Sequence, residues 1–171
     1  MSRVFLYLFR FAVIVLGFFA AALAASAFLH FLYLGAAGQG AQALAFEGME
    51  PLALSVPLVA LILANFAFLP ALPVILIAEL TGRRDWLFHA LGGAVVTVLA
   101  VALSWSMDFS AWRGVGEGAP ATDSVLGDPQ FVLLLLGAGM TGGIAYWLIA
   151  GRSAGLWRLS AVATTPGQSE S

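Results

Sequence analysis

Long apolar runs alternate with short polar breaks along the chain. Four runs, near residues 11–34, 52–80, 86–107 and 130–150, are almost free of charge. Each is long enough to cross a hydrocarbon core of ~30 Å at about 1.5 Å per helical residue. The breaks carry helix punctuation. Gly35 follows the first run. Glu50-Pro51 opens the second, with the proline at the first helical position, where its missing N–H is harmless. Gly82 closes the second run and Asp85 caps the third. Asp128-Pro129 opens the fourth and Gly151 follows it. Pattern and punctuation together predict an all-α fold, an integral membrane four-helix bundle over residues 1–151. The segment 152–171 reads as a turn around Trp157 and Arg158, then a polar, disordered tail.

Composition agrees. The 171 residues are 61% hydrophobic and 9% charged, whereas soluble domains carry roughly a quarter charged residues. So few charges cannot cover a surface, and the surface must face lipid. A net charge of −2 gives no footprint for nucleic acid. With no cysteine, disulfides, thiolate metal sites and Cys nucleophiles are excluded.

The arginines set an orientation. Arg3, Arg10, Arg83, Arg84, Arg152 and Arg158 fall on one side of the threading and only Arg113 on the other. The positive-inside rule then predicts that both termini are cytoplasmic. Trp86 and Trp147 fall near the inner interface and Trp105 near the outer one. The start of the chain also has the look of a cleaved signal, with a basic start and small residues ending in Ala25-Ser26-Ala27. Its apolar stretch runs past that point in "FLHFLYLG", which favours a retained span.

Within the second run, Pro70 and Pro73 cannot donate to the carbonyls of Phe66 and Leu69. A kink is expected there, with the freed carbonyls turned toward the third span. At matching depth, Thr97 is the candidate donor, and Gly92, Gly93 and Ala94 lie opposite Pro73. Asn65, Thr97 and Thr141 all fall near mid-membrane. They are candidates for a polar layer, read as interhelical glue rather than a transport site, because no ionisable residue lies at that depth. Gly139 and Gly143, Ala138 and Gly142, and the face Gly17, Ala21, Ala25 offer close helix packing within the bundle.

A charged elbow follows. Glu79 and Arg83 are four apart in the favourable helical order, or, if Gly82 ends the helix first, they pair through the turn. Arg84, Asp85 and His89 complete the cluster. Topology and pairing account for most of it, and Glu79, at the hydrocarbon edge, is the candidate for an interaction role. His30 and His89 belong to opposite membrane faces, about 20–25 Å apart, so they cannot share a metal or haem. No HExxH, Ser/His/Asp set or phosphate-cradling loop is present, so neither catalysis nor a cofactor is expected.

At "PALPVILIAELTGRRDWLFHALGG", residues 70–93, the chain resembles small four-span inner-membrane proteins of alphaproteobacteria. The resemblance rests on Pro70, Pro73, Ala78, Glu79, Arg83 or Arg84, Gly92 and Gly93. It implies a bacterial inner membrane and no particular activity. The residues therefore point to a non-enzymatic accessory or assembly subunit in contact with the lipid bilayer and a larger membrane protein. The alternative is a small transporter or channel component that forms a homo-oligomer.

Overall fold

A computed structural model describes residues 3–36, 49–106 and 129–155. The described part is 94% helical and contains no strand. Four helices follow one another: α1 (Arg3–Ala36), α2 (Met49–Thr81), α3 (Trp86–Ser106) and α4 (Pro129–Ile149). A 3₁₀ turn, Gly151–Ser153, continues from α4. The outer loops, the turn at Trp157 and the polar tail anticipated from the sequence lie outside the described residues.

All four helices are long and apolar enough to cross a membrane. Only 17–28% of the residues in each apolar window are buried inside the bundle. The architecture is therefore compatible with an integral membrane protein of four spans. Each helix packs beside the next, and α4 closes the ring against α1.

The packing is inverted relative to a water-soluble bundle. Ala60, Ala64, Ala71, Ala78, Ala90, Ala138 and Ala150 are buried, while Leu8, Phe9, Leu54, Leu61, Leu133 and many other large apolar residues face outward. Lipid chains solvate leucine as well as a protein core does, so helices in a bilayer gain mainly from close backbone approach. Small residues permit it. Between α3 and α4, a Cβ on Gly93 would collide with the Gly139 carbonyl, and one on Gly143 would collide with the His89 carbonyl. Between α1 and α4, a Cβ on Gly142 would sit 3.0 Å from the Ala21 carbonyl oxygen, and one on Gly17 would sit 2.9 Å from the Ala150 Cβ. The small-residue faces of the first and fourth spans are thus consumed inside the bundle.

Some boundaries differ from the sequence expectation. Helix α1 begins at Arg3, not near 11, because residues 3–10 continue the helix without a breaker; Arg10 is therefore inside it. Helix α2 begins at Met49, which puts Pro51 at the third position, still within the first turn that lacks N–H partners. It runs without interruption through Pro57, Pro70 and Pro73. Pro70 is buried and Pro73 exposed. The run Ala25-Ser26-Ala27 lies within α1, where the buried Ser26 donates its hydroxyl to the Val56 carbonyl of α2 at 2.8 Å.

The turn between α2 and α3 follows the sequence closely. Gly82 adopts φ 65°, and the Arg83 N–H reaches back to the Ala78 carbonyl at 3.1 Å, the helix-ending pattern that needs glycine in the left-handed region. Asp85 then caps α3 by accepting the Leu87 N–H at 3.2 Å.

The α3–α4 crossing predicts a specific sensitivity. Gly143→Ala places a methyl against backbone, which cannot yield as a side chain can, and it should lower unfolding stability in mild detergent by about 1–3 kcal/mol. Gly35→Ala, with nothing within 4 Å of its new methyl, should show no loss in the same thermal or SDS titration.

Candidate functional site

The charged and polar groups gather at the end of the bundle shared by the start of α1, the α2–α3 turn and the residues after α4. At its centre Arg10 meets Glu79. The guanidinium grips the carboxylate with two donors: Nη2 to Oε1, and Nε to Oε2 at 3.2 Å. Their side chains are only 13% and 11% exposed. A planar fork matched to a carboxylate is the geometry in which arginine exceeds lysine.

Arg10 also binds the segment beyond α4. Its Nη1 donates to Ser153 Oγ at 2.6 Å and its Nη2 to the Ala150 carbonyl at 3.1 Å. The Gly155 N–H points at Glu79 Oε2 from 3.4 Å. Gly155 has φ 72°, and a Cβ on it would lie 2.9 Å from the Gly82 Cα, so the two left-handed glycines touch.

A second set of bonds ties the same segment to the turn. Arg84 Nε donates to the Ala154 carbonyl at 3.0 Å. Trp147 Nε1 donates to the Arg84 carbonyl at 2.7 Å. The Arg152 guanidinium stands 5.9 Å from the centre of the Trp147 ring, an attractive cation–π distance.

Beneath the ion pair, His89 stacks on Tyr146, with ring centres 5.7 Å apart and planes 24° from parallel. Both are buried. His89 Nδ1 lies 2.8 Å from the Asp85 carbonyl. A carbonyl only accepts, so the N–H is on Nδ1 and Nε2 is an acceptor in the neutral ring. Gly151 leaves room for that edge, since a Cβ there would lie 2.7 Å from Nε2. His89 Nε2 and the Tyr146 hydroxyl are buried with no hydrogen-bond partner.

Chemically, the Glu79 carboxylate is neutralised and fully engaged, which suits a clamp rather than a base. The open hydrogen-bonding capacity of the site belongs to His89 and Tyr146. Among the described residues, no group of three or more His, Asp or Glu assembles as a metal-binding cluster.

Several expected contacts are replaced by others. Glu79 pairs with Arg10 instead of Arg83, which is exposed. Arg83 and Arg84 follow the left-handed Gly82, after α2 has ended, so the Glu79–Arg83 helical spacing does not apply. His89 is buried against Tyr146. Thr97 does not donate to α2. Its hydroxyl bonds the Gly93 carbonyl of its own helix at 3.1 Å, and its oxygen presses on Gly139. Thr141 likewise bonds the Gly137 carbonyl at 2.8 Å. Asn65 stands on the exposed face of α2, so the three residues do not form an internal polar layer. Gly92 faces Val74, and a Cβ on it would lie 2.7 Å from that side chain.

Arg10, Tyr146 and Ser153 were not singled out from the sequence as site residues. For Arg10 a signal existed: a lone arginine embedded in an apolar helix requires a partner. In comparisons with protein-family models, curated proteins and solved structures, nothing matches this chain.

The ion pair predicts a non-additive result. Arg10→Ala and Glu79→Gln should each destabilise the bundle by about 3–5 kcal/mol, the usual loss when one partner of a buried pair is removed. The double variant should cost clearly less than both losses combined. A double-mutant cycle read by reversible SDS unfolding measures the coupling.

Proposed function

We propose that this chain is a non-enzymatic, four-span integral protein of a bacterial inner membrane, with both termini cytoplasmic. It serves as an accessory or assembly subunit that packs against a larger membrane partner. One observation carries the reading: Arg10 and Glu79 satisfy each other inside the bundle, while large apolar side chains cover its outside. Such a molecule has a sealed ion pair at one end and apolar contact surface along the outside of its helices. A bend in α2 at Pro70 and Pro73 belongs to this proposal, as a shape feature that a partner would fit.

A second reading has its own support. His89 Nε2 and the Tyr146 hydroxyl are buried without partners beside the ion pair, a place where a small transporter or channel component could handle a proton or polar solute.

Three measurements test these readings. The chain lacks cysteine, so Arg83→Cys and Ser171→Cys are clean single labels. Both should react with an impermeant maleimide from the cytoplasmic side only; labelling from opposite sides overturns the threading. Co-purification from native membranes in mild detergent should recover a stoichiometric larger membrane protein. Recovery without one, together with a vesicle flux abolished by His89→Ala, favours the second reading.

A further inference from the structure

We propose that two copies of the protein pair through α2, packing helix against helix in parallel with Asn65 facing Asn65 at the centre of the seam. The inference rests on the bilayer reading above and adds a partner to it, a second copy of this chain.

The first observation is a spacing. Leu54, Leu58, Leu61, Asn65, Phe68 and Leu72 recur alternately four and three positions apart. That is the 3.5-residue repeat of a left-handed helix pair, with Leu58, Asn65 and Leu72 in one class of seam position and Leu54, Leu61 and Phe68 in the other. The second observation is exposure. The five apolar members are 40–76% exposed and Asn65 is exposed with them. On a separate face of the same helix, Ala60, Ala64, Pro70 and Ala71 are buried against the bundle. The seam therefore lies on the outward side of α2, with Phe68 at its flank, where it meets Phe18 of α1 edge to face.

The third observation is the amide. Asn65 is the single asparagine in the chain and the central residue of α2, which runs Met49–Thr81. In a spanning helix it lies near mid-membrane, where lipid tails offer neither donor nor acceptor. A carboxamide carries both, so it complements a copy of itself. A two-fold axis along the membrane normal brings each residue near its own mate while keeping both copies in the same orientation. One asparagine in an otherwise apolar seam is also the device that fixes register and a two-stranded state. A different membrane protein would need its own polar group at that depth; a second copy supplies one by symmetry.

The test uses the full chain in lipid vesicles. Single-cysteine variants Leu61→Cys and Phe68→Cys should form disulfide-linked homodimers under mild oxidation. Val98→Cys on α3 and Leu133→Cys on α4, also exposed, should not. Asn65→Leu should weaken self-association, read by energy transfer between labelled copies, on the order of 3- to 20-fold. Asn65→Gln should restore part of it. Equal cross-linking at all four positions, a monomeric mass in native lipid discs, or seam cross-links only to another protein overturns the pairing. Release of the wild-type chain by alkaline carbonate overturns the bilayer reading and the pairing together. Retention without seam-specific homodimers overturns the pairing alone.

Discussion

An arginine and a glutamate near the rim of a hydrocarbon layer are each costly alone and tolerable together. In this chain Arg10 of α1 and Glu79 of α2 solve the problem jointly, and the rest of that end is arranged around the solution. Ser153 and the Ala150 carbonyl fill the remaining reach of the guanidinium, and the Gly155 N–H approaches the carboxylate. Three separate parts of the polypeptide are held by one ion pair. The Arg84 bond to Ala154 and the Trp147 bond to Arg84 reinforce the same closure from the other side.

The glycines connect this clamp to the body of the bundle. Gly143 lets the backbone at His89 come against α4, and Gly151 admits the far edge of the imidazole. The stack of His89 on Tyr146 is therefore set by backbone proximity as much as by the rings themselves. Gly17 presses α1 onto Tyr146 and Ala150, immediately below the turn that receives Arg10. Close helix approach, the aromatic stack and the ion pair are successive layers of one contact, and a disturbance in any layer is felt in the next.

The spans, the Gly82 stop and the Asp85 cap were legible because each has a local cause: a run of apolar residues, a left-handed residue, a short acceptor side chain. The face that each helix turns inward was not. Helices that are apolar all round carry little periodic signal of inside and outside. Depth alone put Asn65, Thr97 and Thr141 together. Rotation about the helix axis separates them: Asn65 faces outward, and each threonine bonds a carbonyl in its own helix. Arg10 and Glu79 are 69 residues apart, and a nearer arginine stood four residues from Glu79. Local spacing favoured the nearer cation, but α2 ends at Thr81 and Arg83, beyond the left-handed Gly82, is exposed.

The bonds from Arg10 to Ala150 and Ser153 join residues 140 and 143 positions apart. On a ribosome feeding the membrane, Arg10 is made well before these acceptors, which come only after the fourth helix. Until then the guanidinium can hold Glu79 but not its full complement of acceptors. The bundle is thus latched from the segment after α4 back to α1, and a chain truncated before Ala150 would insert with its latch open.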